Sequence, residues 1–295
     1  MLDINTQTPA LSGAGLGLRR ALTAPLLSLN RDPPDFLEVA PENWIKAGGR
    51  WRREFDALAE RYTLSSHGLS LSIGSPDPLD IELLDKLRDF LDHYNIQYYT
   101  EHLSYCSGGG HLYDLLAMPF CEEAVHYVAA RIRQVQDHLG RRIGMENISY
   151  YADFGNGMSE SDFISAVVDE ADCDILLDVN NVYVNSINHA YDPHAFIDSL
   201  PLSRVKYLHI AGHYDEDIDL KIDTHGAAVI NPVWDLLKYT YQLTGPLPTL
   251  LERDFNLPPM AELMQEISQV RQTQAQAQAQ VNANTAASGC VAAAQ

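Results

Sequence analysis

One pattern repeats eight times along this chain: a short apolar run, followed by a stretch with helical spacing of its apolar residues. The runs fall at 15–19, 36–39, 64–66, 98–100, 143–145, 175–177, 205–208 and 249–251. Runs this short and continuously apolar fit parallel strands covered on both faces. Between them, 79–94 places Leu84, Leu87 and Leu91 on one stripe, and 120–139 does the same with Val125, Val128, Ile132, Val135 and Leu139 before the stop signal Gly140. Ser159 and Asp162 resemble a capping box opening a third helix, and further helices are expected at 51–61, 193–199, 232–243 and 259–270. Strand and helix alternating through eight rounds point to an α/β protein, either a doubly wound sheet or a closed (β/α)8 TIM barrel. A chain of 295 residues accommodates such a barrel, of about 250 residues, as one domain.

The runs also end alike. Polar residues of metal-binding or acid–base type follow nearly all of them: His67, Glu101 with His102, Glu146 with Asn147, Asp178, His209 and Glu252, with Glu38, Glu42 and Asn43 at the second run. In a barrel the strand C-termini and the loops after them build the active site. Taken alone, each residue has an ordinary explanation; Asp178, for instance, suits a helix cap before Val179. Taken together, His67, His102, Glu146, Asp178, His209 and Glu252 would converge on one mouth. Carboxylates crowded into one pocket repel and are costly to bury. Cations relieve that cost, and mixed His/carboxylate sets suit zinc, manganese or non-haem iron. Asp223 and His225 add a D-x-H pair whose side chains share one side if the segment is extended. Asn181 supplies a further, weaker ligand if it opens a helical turn.

The formal net charge of −20 repels phosphate backbones and weighs against a nucleic-acid partner. Cys106, Cys121, Cys173 and Cys290 form no C-x-x-C pair and no disulfide framework, which fits free thiols in a cytoplasmic setting. No basic, then apolar, leader opens the sequence and no run of about 20 apolar residues occurs, so no membrane span is expected. The globular domain is expected over 1–271. The Gln/Ala-rich segment 272–295 has too few large apolar residues to offset its ordering entropy, so a disordered tail is expected there, with Cys290 an exposed bystander. The glycine-bearing segment 103–119 reads as a mobile lid or peptide clamp.

The ligand order resembles the trinuclear site of the endonuclease IV and xylose-isomerase-like barrels. That resemblance implies one metal on His67, His102 and Glu146, and a second sharing Glu146 with Asp178, His209 and Glu252. It places a third on Asp223 and His225, where the endonuclease has a His at the position of Asn181. Longer segments, among them Gly15-Leu16-Gly17-Leu18-Arg19, the 35–44 stretch through Trp44, 65–80, 145–151, 176–186, 209–217 and 250–258, are similar to the multinuclear non-haem iron-dependent oxidases. These include the MbnB-type methanobactin enzymes and their bufferin-maturing relatives, the latter looking nearest. The resemblance covers about residues 13–270. It implies a xylose-isomerase-like TIM barrel holding two or three irons of mixed Fe(II)/Fe(III) state. Its implied reaction is the oxidation of cysteines in a ribosomally made precursor peptide with dioxygen as co-substrate, the peptide being delivered by a separate partner protein. Asp178 and His209 would then be catalytic as well as ligating, and His213 a catalytic acid–base group or one behind the ligands. The competing reading is a divalent-metal-dependent hydrolase or isomerase, since a barrel does not fix its chemistry. Tyr105, Tyr150, Tyr151, Tyr183 and Tyr214 fall in loops expected to flank the mouth, where they suit a peptide.

Overall fold

Eight strands close into one barrel in chain order, every neighbouring pair parallel: β1 (Ala14–Gly17), β2 (Phe36–Val39), β3 (Thr63–His67), β4 (Tyr99–His102), β5 (Gly144–Glu146), β6 (Asp174–Asp178), β7 (Val205–Ile210) and β8 (Thr249–Leu251). The structure is a computed structural model describing residues 11–152 and 157–292, the side chains of 284–292 excepted. Residues 1–10 and the Cys290 side chain therefore lie outside the described residues. Every expected run is a strand, and the α/β barrel expectation holds. Several strands run one or two residues past the apolar run, because their last polar residues point into the barrel and stay in the ladder.

Helices cover the outside: α1 (Thr23–Ser28), α2 (Gly49–Ala59), α3 (Ile81–His93), α4 (Glu122–Leu139), α5 (Glu160–Ala171), α6 (Val179–Asn188), α7 (Pro193–Ser199), α8 (Asn231–Thr244) and α9 (Met260–Ala292). Their starts and stops are chemically plain. The Asp80 side chain accepts from Leu83 N to open α3, and Ser159 accepts from Asp162 N to open α5. Gly140 ends α4 in the left-handed region, at φ 65°. Leu84, Leu87 and Leu91 are buried as the stripe requires, each worth roughly 1.5–3 kcal/mol. Within the barrel, Phe36, Leu176, Tyr207 and Leu250 form a separate apolar floor. Gly15 is needed there, because a Cβ at that position would meet the Phe36 ring at 2.2 Å.

Three elements depart from the sequence expectation. Helix α6 runs well beyond the single turn that an Asp178 cap suggests, although its Val- and Asn-rich stretch favours other conformations; the cap and burial against the barrel override that preference. The 103–119 segment, read as a lid or peptide clamp, contains a hairpin not expected from the sequence, Tyr105–Ser107 against His111–Leu116, turning at Gly108–Gly110. Cys106 N donates to Ser72 Oγ at 2.9 Å and Gly109 N to Asp77 Oδ2 at 2.8 Å, which tie it down. The third is the carboxy-terminal segment. Helix α9 passes through the expected boundary at 271 and continues to Ala292. Its first turns beyond that boundary are docked: Gln274 Nε2 donates to Gly13 O and Leu247 O, and Ala277 is buried. Small Ala and Gln side chains suffice there because Gln274 reaches backbone carbonyls while Ala277 joins the edge of the apolar core. Among the described residues no helix is long and apolar enough to cross a membrane.

Candidate metal centre

Strand register brings the polar strand ends together. His102 pairs with Glu146 across β4 and β5, Asp178 with His209 across β6 and β7, and His67 with Thr100 across β3 and β4. Glu252 directly follows β8. Among the described residues three groups that could hold a metal ion result, each with its donor atoms within 4.8 Å of one another: His67, His102 and Glu146; Glu146, Asp178, His209 and Glu252; and His225, Glu252 and Asp254. Glu146 belongs to the first two and Glu252 to the last two. A carboxylate has two oxygens, so each of these side chains can serve two neighbouring ions at once.

The contacts fit cations better than hydrogen bonds. His67 Nε2 and His102 Nε2 are 3.0 Å apart, and Glu146 Oε2 lies 3.1 and 3.3 Å from them. Yet Glu146 Oε2 has no aligned hydrogen-bond donor. His209 Nδ1 is 3.1 Å from Glu252 Oε2 and 3.6 Å from Glu146 Oε1, again without an aligned bond. Asp178 Oδ2 and Asn181 Oδ1 are buried and unpartnered as well. Each such orphan costs about 1–3 kcal/mol unless something binds it. The donor set of imidazoles and carboxylates is that of zinc, manganese or non-haem iron.

Away from the centre, the ring nitrogens are held. His67 Nδ1 meets Thr100 Oγ1 at 2.8 Å, His209 Nε2 meets Glu38 Oε2 at 3.1 Å, and His225 Nδ1 meets Asp254 Oδ2 at 3.1 Å. Arg19 Nε in turn donates to Asp254 Oδ1 at 2.6 Å. Such outer contacts fix the tautomer and aim the opposite nitrogen inward. Electrostatics reflect the crowding. Burial, then the Glu146 charge, pushes the Asp178 carboxyl up to about 8. Burial opposes charge on His102 and His209, but the surrounding carboxylates override it. Glu146 and Glu101 hold His102 up at about 9, and Glu38 and Glu252 hold His209 well above the usual imidazole range. Glu146 is driven down despite its burial, by His67 and His102.

Asp223 and His225 meet as the D-x-H spacing suggests, with Asp223 Oδ1 2.8 Å from His225 Nε2, which lacks an aligned bond. His225 adopts φ 50°, a strained conformation for a non-glycine residue. Its Nδ1 side faces Glu252 and Asp254, so the imidazole lies between two acidic environments. Asn181 does open a helical turn: its N–H donates to Asp178 Oδ1 at 2.7 Å, and its side chain lines the cavity. Asp178 is thus cap and candidate ligand together. His213 does not line the cavity. Its Nδ1 meets Asn180 Oδ1 at 2.8 Å, and burial lowers its pKa. Asp254, Arg19 and Asn180 were missed in the sequence. Asp254 had a legible signal, standing two residues after Glu252 just as His225 stands two after Asp223.

Above the ligand groups lies a cavity of about 450 Å³, walled by Leu69, Leu115, Ile148, Tyr151 and Phe255 among others. That volume suits a side chain and its flanking peptide units. Among the five tyrosines expected at the mouth, Tyr151 lines the cavity. Tyr183 instead packs on His213, with ring centroids 5.2 Å apart, and Tyr214 stands exposed on the outer hairpin Tyr214–Asp217/Leu220–Ile222. The loop bearing Tyr151 is held by Asn185, whose Oδ1 accepts from Tyr150 N at 3.1 Å and whose Nδ2 donates to Ile148 O at 2.9 Å.

Glu160 lies behind that loop, its carboxyl pushed up to about 8 by burial against the hydrogen bonds of Asn185, Tyr150 and Tyr191. A raised folded-state pKa means the native chain holds this proton where the unfolded chain, near pH 4.3, does not. Its contribution is present below about pH 4.3 and lost as pH rises through about 8. Glu160→Gln is therefore expected to flatten the fall in stability between pH 5 and 8, by up to about 1.4 kcal/mol per pH unit. Melting temperatures of both proteins at pH 6 and 9 check this; parallel losses would contradict it.

Residues 13–275 match the family model described as the RiPP precursor modification enzyme MbnB/TglH/ChrH. A UPF0276 protein of Alcanivorax borkumensis is 59% identical over 278 residues, covering 90% of this chain and 92% of its own. Another, of Shewanella amazonensis, is 56% identical and covers 89% and 94%. Among solved structures, D-psicose 3-epimerase of Clostridium cellulolyticum superposes with a TM-score of 0.58 at 14% identity, covering 90% of this chain and 96% of that one. Endonuclease IV of Thermus thermophilus gives 0.58 at 16%, covering 90% and 99%. At those identities the likeness is one of fold, the xylose-isomerase-like TIM barrel.

Proposed function

Because this chain belongs to the MbnB/TglH/ChrH family of RiPP precursor modification enzymes, we propose that it oxidises cysteine side chains of a ribosomally made peptide, using iron and dioxygen. The observation that carries this reading is the pair of ligand groups sharing Glu146 beneath a cavity of side-chain size. His67, His102 and Glu146 would hold one iron, and Glu146, Asp178, His209 and Glu252 a second. Asp223, His225 and Asn181 would hold a third, on the Nε2 side of His225 and away from Glu252 and Asp254, which face its Nδ1. When bound, iron supplies a site for the thiolate and for dioxygen, together with the redox equivalents.

The chain's own residues do the rest. Leu69, Leu115, Ile148 and Phe255 give the entering peptide an apolar seat and displace water. Tyr151 offers a ring for the peptide, while its hydroxyl accepts from Asp223 N at 3.0 Å, so seating and ligand placement are joined. Glu38 and Asp254 keep His209 and His225 facing inward. Asp178 and His209 act as ligands whose loss should stop the reaction. A separate protein delivering the peptide belongs to this reading too.

The test is co-expression with cysteine-bearing candidate precursor peptides and candidate partner proteins of the same genome, followed by mass spectrometry. Mass changes confined to cysteine-bearing fragments are expected, requiring air and absent with Asp178→Ala or His209→Ala. A peptide left unmodified by iron-loaded enzyme in air, with its partner present, would sink the reading.

A further inference from the structure

His213 stands off the cavity wall, joined to it by one buried link. Its Nδ1 meets Asn180 Oδ1 at 2.8 Å, and Asn180 Nδ2 donates to Asp223 Oδ1 at 3.0 Å. His213 and Asn180 are both buried, and the His213 ring packs against Tyr183. The other nitrogen, Nε2, has no hydrogen-bond partner among the described residues; Asp215 Oδ1, on the outer hairpin, lies 3.7 Å from it. A proton shuttle to the substrate would need that nitrogen in the cavity, which His213 does not line.

The link has a definite polarity. Asp223 as a carboxylate only accepts, so Asn180 must present its NH2 group there. Its carbonyl then faces His213, and His213 Nδ1 must be the donor. Reversing the amide would set a carbonyl oxygen against the Asp223 carboxylate. His213 therefore locks the Asn180 amide in the one orientation that holds Asp223. Asp223 needs such a hold. It sits just past the hairpin strand Leu220–Ile222 and two residues before His225, whose φ of 50° the backbone alone does not favour.

We propose that His213 is a positioning residue which, through Asn180, fixes Asp223 and with it the third metal position at His225. The role rests on the iron-centre reading above, in which Asp223 and His225 are ligands. Outer partners of this kind are worth about 10–100-fold in metal affinity. The effect should be confined to one ion, because the side-chain hydrogen bonds of His213 and Asn180 lead to Asp223 and not to His67, His102, Glu146, Asp178, His209 or Glu252.

The test uses the full chain, reconstituted anaerobically with Fe(II), with iron per chain and the rate of release to a chelator as readouts. His213→Ala is expected to release one iron at least about tenfold faster than wild type, the other two unchanged. His213→Asn should restore slow release, since its side-chain NH2 replaces the Nδ1 donor. Asn180→Leu should match His213→Ala, and the double variant should be no worse than Asn180→Leu alone. Unchanged release from His213→Ala overturns the proposal. So does a wild type that takes up no third iron, or a His213→Ala protein that loses all its iron alike with a lowered melting temperature. Failure of His213→Asn to restore release in a folded protein also overturns it. Iron release is read without peptide, so the peptide-oxidation reading stands or falls separately.

Discussion

Glu146→Ala is expected to empty two metal positions at once and to abolish peptide modification, whereas His225→Ala should empty one. Glu146 alone belongs to both of the ligand groups deepest in the barrel, with Oε2 toward His67 and His102 and Oε1 toward His209. Removing it takes a donor from each and leaves the imidazoles facing one another. Even an outer partner of a ligand costs about 10–100-fold when removed, so a shared ligand should exceed that. Glu146→Gln separates this role from bulk, keeping the volume and one oxygen while losing the charge and the second ligating atom. Metal per chain should fall below half of wild type in both Glu146 variants. Equal metal content in Glu146→Ala and His225→Ala would remove Glu146 from the bridging position.

The barrel was legible because its cause is local. Short apolar runs such as 36–39 and 249–251 have no other good use, and the helix stripes and the caps at Asp80, Ser159 and Gly140 mark their own boundaries. The clustering of His67, His102, Glu146, Asp178, His209 and Glu252 was legible because parallel strands in register end on one face, so residue type at a strand end carries spatial meaning. What escaped was set by contacts across the chain. Glu38 stood out as a strand-end carboxylate, but its bond to His209 spans 171 residues and has no local sign. The length of helix α6 has little local sign, because Val and Asn favour other conformations and the Asp178 cap marks only its first turn. The segment 272–277 looked too polar to dock, yet its glutamine donates to the carbonyls of Gly13 and Leu247, each of which takes it as a second donor beside Thr249. Composition measures apolar surface and cannot count backbone acceptors.

Metal uptake is expected to strengthen steeply with pH and to release protons. In the metal-free chain Asp178 titrates near pH 8 and His102 near pH 9, while His209 and His225 lie well above the usual imidazole range. All four hold their protons at pH 7, and a ligating atom must give its proton up. Each displaced proton adds a tenfold gain in affinity per pH unit, about 1.4 kcal/mol. With two protons displaced, affinity for Fe(II) should rise about 100-fold from pH 6 to 7, flattening once the groups titrate without metal. The same shifts run the other way for the metal-free fold. Groups with raised pKa values support it below their unfolded values, near 3.9 for Asp178 and 6.5 for the histidines, and lose that support as pH climbs through about 8 to 9. Glu146 and Glu252, both lowered, contribute only above about pH 4.3 and lose that as pH falls. Metal should therefore stabilise the protein most at alkaline pH, where the empty cluster is weakest. Anaerobic titration calorimetry in two buffers of different ionisation enthalpy measures the protons released, and melting temperatures with and without metal from pH 6 to 9 measure the widening gap. Affinity independent of pH, with no protons released, would mean that these side chains already face the centre deprotonated and that the carboxylate crowding does not govern it.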